Sequence, residues 1–208
     1  MITGMPRIAI AVNDMDAAIR TFRDAFKMPV TEAGTAPRSL GIRIAMCTPP
    51  HGSNIELMAP LEAGRAHAAS LERFLARRGE GLFALMLEAP DPIAEAETLA
   101  ARGLAVLPLL QDAGGRDIHP RSTHGVLMRI YPTRLQASSG PPQGGAAEQR
   151  LGARATSLAT EQATAVSGIV RVVLCVEDVD AALGVYRDKL GLAVEACPPG
   201  EEPGVRRA

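Results

Sequence analysis

The chain has 208 residues, with 22 Lys and Arg against 23 Asp and Glu, a formal net charge of -1, 47% hydrophobic residues and no tryptophan. Its longest basic clusters are the pairs Arg77-Arg78 and Arg206-Arg207, which gives no footing for nucleic acid or an anionic membrane surface. The apolar runs are too short to span a bilayer and residues 1–7 lack a signal-peptide layout, so a cytoplasmic protein with one full domain and a remainder is expected.

Residues 7–12 alternate, placing Ile8, Ile10 and Val12 on one face and Arg7, Ala9 and Ala11 on the other, the pattern of a half-buried strand. The period then changes. Asn13 or Asp14 caps a helix whose apolar positions are Met15, Ala18, Ile19, Phe22 and Phe26. A weak strand near Val30 and strands over 41–46 and 54–58 follow, the last two separated by the turn residues 49–52. A second unit of the same order comprises a strand over 82–88, a helix over 92–102 stopped by Gly103, and strands over 105–109 and 125–131. A further strand between 110 and 124 is inferred by symmetry alone. Two tandem βαβββ units, each too small to stand by itself, predict an α+β fold with a curved mixed sheet closing around a cleft.

Residues 137–168 shift to Gly, Pro, Ser and Ala and read as a flexible linker, with a weak helix possible over 146–163. The chain then repeats itself. Residues 171–194 echo residues 7–30, with Arg171 for Arg7, Asp178 for Asp14, Asp180-Ala-Ala for Asp16-Ala-Ala and Tyr186-Arg-Asp for Phe22-Arg-Asp. Turn signals after Cys197 end this third module after a strand, a helix and the start of another strand. Half a module cannot cover its own helix or satisfy its strand edges. Truncation of a longer two-domain protein is the preferred expectation, and docking onto the first domain or a partner chain is the alternative. The expected divisions are residues 5–135, 136–168 and 169–208.

Residues 7–30, 54–61, 78–82 and, most specifically, 119–127 resemble the vicinal oxygen chelate superfamily of glyoxalases, bleomycin resistance proteins and dioxygenases, most of all methylmalonyl-CoA epimerase and its glyoxalase relatives. The resemblance covers residues 5–133. It implies a cleft lined by two βαβββ modules, in which a divalent ion binds vicinal oxygens and stabilises an enolate while a carboxylate moves a proton. It places the four ligand positions of that ion on Arg7, Glu56, Ala84 and Arg129, and the further catalytic glutamate near Arg38 or Ser39. Of these only Glu56 is a donor, too few for a hard divalent ion or a zinc-like site, and the guanidiniums repel a cation. No metal ligands and no cofactor are therefore expected.

His51, His67, His119 and His124 are assigned to loops, turns or helix surfaces rather than to a substitute metal site. Cys47, Cys175 and Cys197 are odd in number and far apart, so no disulfide framework is expected, and Cys47 reads as a small core or rim residue. No phosphate-cradling glycine loop is present in the sequence.

If strand alternation points Arg7, Glu56 and Arg129 into the cleft, they leave an excess of positive charge that suits an anionic ligand held by bidentate arginine contacts. The favoured competitor is an internal ion pair that fills the old metal position. Glu56 is the candidate catalytic residue, and Arg7, Arg129, Met86, Tyr131 and His124 are the candidate ligand-binding residues. The preferred function is a metal-free superfamily member that binds a small anionic metabolite or acyl thioester, with a homodimer expected from the family's habits. The alternatives are an epimerase, isomerase or lyase of the methylmalonyl-CoA epimerase or lactoylglutathione lyase type, a dioxygenase relative, a structural pairing module, and an inactive fragment.

Overall fold

The computed structural model describes residues 1–33, 41–61, 66–108, 115–133, 166–169 and 171–195. Backbone contacts divide the chain into two compact units, one built on Met5–Met86 with Leu135–Arg171, the other on Met1–Gly4, Leu87–Arg134 and Val172–Ala208. Seven of the described strands belong to one mixed sheet, and with the helices they make the chain an α+β protein.

The first unit holds β1 (Gly4–Ala11), α1 (Met15–Arg20), β2 (Val30–Glu32), β3 (Ile42–Cys47), β4 (His51–Gly52), β5 (Asn54–Pro60), α2 (Ala66–Arg78) and most of β6 (Gly81–Ala89). Its strand order is β2-β3-β5-β1-β6. β1 runs parallel to β5, while β2 with β3 and β3 with β5 are antiparallel. β1 is buried on both faces rather than half-buried: Arg7, Ile8, Ala9 and Ala11 are all buried. A strand with a neighbour on each side and small Ala9 and Ala11 between larger groups leaves no wet face, so its alternation marks two environments and not inside against outside.

Asp14 caps α1, its carboxylate accepting from Ala17 N, while Asn13 N donates to Glu80 Oε1. α1 passes directly into a π-helical turn, Thr21–Ala25, where Phe26 N reaches back to Thr21 O. That wider turn holds more residues than an α-turn, so the apolar stripe slips. Met15 and Ile19 are buried as the spacing requires, but Phe26 is 40% exposed, its ring 5.5 Å from that of Phe22. α2 has no counterpart among the expected elements. It buries Ala68 and Leu71, contacts β5, and sets Phe74 edge-on to Phe83 of β6 at 5.3 Å. β4 pairs with a late two-residue strand, β9 (Gly168–Ile169), and only glycine fits there: Gly52 has φ +76°, and a Cβ on it would lie 2.5 Å from Ile169 O.

The second unit contains the end of β6, then α3 (Pro92–Ala101), β7 (Arg116–Ile118), a 3-10 turn (Pro120–Ser122) and β8 (Leu127–Pro132), in the sheet order β6-β8-β7. Asp91 caps α3 by accepting from Ile93 N and Ala94 N, Pro92 opens it, and Gly103 at φ +82° closes it. α3 packs against β7 and β8, burying Leu99, Ile118, Met128 and Ile130 almost completely. β7 is the strand that symmetry alone suggested. Among the described residues the strand expected over 105–109 shows one bridge, Val106 to Ile118, with Leu107 N donating to Asp117 O and His119 N donating to Ala105 O.

Among its described residues the third repeat yields a helix. α4 (Val179–Leu183) is capped by Asp178 and passes into a π-helical turn, Gly184–Lys189, reproducing both devices of α1. It is seated within the second unit: Tyr186 hydroxyl donates to Thr123 O at 3.1 Å, Arg102 Nη1 donates to Lys189 O at 2.6 Å, and Leu190 is 1% exposed. Residues 171–176 join no strand ladder among the described residues. The linker and its weak helix fall largely outside the described residues, as do Arg38, Ser39 and Cys197.

Candidate functional site: two arginine–carboxylate pairs

Each unit carries one arginine–carboxylate pair on the sheet face opposite its helix. In the first unit, Arg43 of β3 donates to Asp16 of α1 and to Glu32, which marks the helix-bearing face. Strand register puts Arg43, Ala45, Leu57 and Ile8 on that face, and Arg7, Ala9, Glu56, Met46 and Met58 on the other. Parallel pairing aligns Arg7 with Asn54 and Ala9 with Glu56. The Arg7 guanidinium therefore lies two positions along from the Glu56 carboxylate on one face, and Nη1 approaches Oε2 at 3.3 Å. Both side chains are buried, at 8% and 6% exposure. Two unit charges removed from water this completely are costly singly and tolerable together.

In the second unit, Arg129 of β8 stands directly opposite Asp117 of β7. Its Nε and Nη2 engage Oδ1 and Oδ2 at 2.5 and 2.6 Å, a two-pronged contact that fits the planar guanidinium. Burial alone would pull the Arg129 pKa down, but the Asp117 hydrogen bond and charge, with Tyr131 on the same strand face, carry it above its ordinary value. Arg129 is thus a permanent cation.

The remaining candidates are dispersed. Met86 is buried in β6, Tyr131 lies two residues from Arg129, and His124 sits at φ 54° in the turn before β8, its ring stacked on Tyr186 with centroids 6.4 Å apart. His119 caps the 3-10 turn, Nδ1 accepting from Arg121 N at 3.0 Å. His51 is exposed in β4, and the reading of the His67 side chain falls outside the described residues. Cys47 is fully buried, which pushes its thiol up to about 12 and makes it a poor nucleophile.

Asp117 is the residue that pattern reasoning missed. The charge expected at the site was two arginines against one carboxylate, a net excess of +1. With Asp117 present, each pair sums to zero. The cross-strand register of a 116–118/128–130 hairpin is the signal that finds it, since it sets Asp opposite Arg at a paired position.

Arg7, Ala84 and Arg129 offer no donor to a divalent ion, Ala84 being completely buried, and Glu56 is committed to Arg7. Among the described residues no three His, Cys, Asp or Glu side chains cluster closely enough to hold a metal. A donor set of this kind does not fit the ion that the family resemblance implies.

The family model for the Glyoxalase/Bleomycin resistance protein/Dioxygenase superfamily matches residues 7–119, more than half of the 208 residues. Methylmalonyl-CoA epimerase from Mycobacterium tuberculosis is a similar solved structure at 29% identity, covering 64% of this chain and 89% of that one with a TM-score of 0.53. A variant of the Streptomyces coelicolor methylmalonyl-CoA epimerase in complex with 2-nitronate-propionyl-CoA aligns at 25% identity over 65% of this chain and 100% of its own, with a TM-score of 0.54. A methylmalonyl-CoA epimerase in complex with methylmalonyl-CoA and NH4+ aligns at 25% identity over 68% and 100%, again at 0.54. No curated protein sequence matches the chain.

Proposed function

We propose a function for a chain that belongs to the glyoxalase/bleomycin resistance protein/dioxygenase superfamily: it binds a small anionic metabolite, an acyl thioester being the leading class, without a divalent metal. The observation that carries this reading is the buried Arg7–Glu56 pair at 3.3 Å. It sets a guanidinium against the one carboxylate that the family's ligand pattern leaves to this sequence.

The paired arginines also narrow the ligand. Since Asp117 neutralises Arg129, attraction by net charge is weak, and recognition falls to hydrogen bonds. Asp117 engages two of the five N–H groups of the guanidinium, and Tyr131 is a further neighbour. A carboxylate or thioester carbonyl on a monoanionic acyl group suits such a donor array better than a compact dianion does. The acyl-CoA ligands of the similar epimerases point to the same chemical class. Among the described residues no helix is long and apolar enough to cross a membrane.

The alternative is metal-dependent catalysis with Glu56 as base, of the isomerase, lyase or dioxygenase kind. Titration calorimetry with propionyl-CoA, methylmalonyl-CoA and malonate, in chelator and again in cobalt, separates the two. The proposal expects binding that is the same in chelator and cobalt and weaker in Arg129→Lys, which cannot keep a two-pronged contact. Binding or epimerisation seen only with cobalt contradicts it.

A further inference from the structure

We infer that residues 171–177 form a strand that pairs with the same segment of a second copy of this chain, antiparallel about a two-fold axis at Leu174.

The repeat establishes what this segment is. Residues 171–176 correspond one by one to 7–12, and the following helix keeps the aspartate cap and the π-helical turn of α1. In the first repeat the strand lies between β5 and β6, and Ala9 is 0% exposed. Its counterpart Val173 is 74% exposed, and residues 171–176 join no ladder among the described residues. Burial nevertheless alternates with the strand period: Val172, Leu174 and Val176 are half-buried, while Arg171, Val173, Cys175 and Glu177 are exposed. The half-buried set matches Ile8, Ile10 and Val12, the side of β1 that faces the helix. An apolar segment of strand period that joins no ladder among the described residues is a template for another strand.

Two observations select a second copy as the occupant. First, β1 and β6, the opening strands of the two modules, are neighbours in the sheet, so opening strand beside opening strand is an arrangement this chain already uses. Second, the segment is complementary to itself in charge. Antiparallel pairing centred on Leu174 sets Leu174 against Leu174, Val172 against Val176, Val173 against Cys175, and Arg171 against Glu177 at both ends. A two-fold axis uses the same patch twice and closes, which caps the open edge without building a fibre. A one-residue slip would lose both ion pairs and move the apolar rows onto opposite faces.

Sedimentation of the full chain at low and high salt tests the inference, using Arg171→Glu, Glu177→Arg and the double reversal. These side chains are exposed, so folding is not at stake. The expected result is a dimer whose dissociation constant rises about tenfold in either single reversal and recovers in the double, cross-strand charge pairs being worth a few tenths to one kcal/mol each. In a Cys175→Ser, Cys197→Ser background, Leu174→Cys should form a disulfide-linked dimer on mild oxidation, because residues at the axis face each other within disulfide reach. A chain that is monomeric at high-micromolar concentration, a dimer indifferent to charge reversal, or the absence of the Leu174→Cys cross-link overturns the inference.

Discussion

Replacing Glu56 with leucine leaves Arg7 charged and buried with its carboxylate gone. At the observed 3.3 Å, with an effective dielectric of about 20, the gross attraction in the pair is about 5 kcal/mol. Desolvation of both groups consumes much of that, so the pair as a whole contributes little. Its asymmetric removal is another matter: a buried charge that loses its ion-pair partner in a site this dry costs about 3–5 kcal/mol, a large part of the roughly 5–15 kcal/mol that holds such a protein folded. Urea unfolding followed by far-UV circular dichroism reads this directly. With a slope of about 2 kcal/mol per molar, the midpoint should fall by about 1.5–2.5 M in Glu56→Leu. The double variant Arg7→Met with Glu56→Leu, which restores an apolar match of similar volume, should return to within about 1 kcal/mol of the parent. A Glu56→Leu midpoint shift below about 0.3 M, or a double variant as weak as the single one, would refute the claim that the pair is a closed, mutually compensating unit.

Three other outcomes follow from the same geometry. Asp117→Asn should destabilise the second unit by about 2–4 kcal/mol in urea, because Arg129 keeps its charge and loses a two-pronged acceptor, whereas Asp24→Asn, at an exposed pair, should move the midpoint little. Asp14→Ala and Asp178→Ala should each cost about 1 kcal/mol of helix stability, the second seen as faster amide exchange over residues 179–183. In a Cys175→Ser, Cys197→Ser background, Cys47 should resist thiol labelling at about pH 8 until the chain unfolds. Burial pushes that thiol up to about 12 from 9.0, so the folded state keeps a proton that the unfolded chain has lost in between. Its stabilising contribution is therefore complete below pH 9 and is lost as pH rises towards 12.

The parts of the fold that could be read from residues are those where period and punctuation agree. Alternation in residues 7–12, the Asp14 cap, the Gly103 stop and the strands that end at Cys47, Pro60 and Ala89 each rest on a local rule, and the structure shows those elements within a few residues. Phe26 departs because a π-helical turn carries no residue signature, and one wider turn shifts the stripe. α2 escaped because its apolar positions Ala68, Leu71, Phe74 and Leu75 sit among small and basic residues, so the stripe is narrow and its burial is decided by what it packs on. Arg7 and Glu56 could be placed from the family pattern, but their mutual contact needed the parallel register of β1 with β5. Asp117 lies in a three-residue strand too short to show a period, and only its pairing with β8 reveals that it faces Arg129.

The central claim is that Arg7 and Arg129, each closed by a carboxylate, stand where the superfamily resemblance expects metal donors. Native mass spectrometry and elemental analysis of the purified protein, before and after incubation with excess cobalt, nickel, manganese and zinc and beside Glu56→Ala, test it most directly. The account predicts no stoichiometric metal in any sample. Tight equimolar metal in the parent that disappears in Glu56→Ala would contradict it and return the chain to metal-dependent isomerase or lyase chemistry.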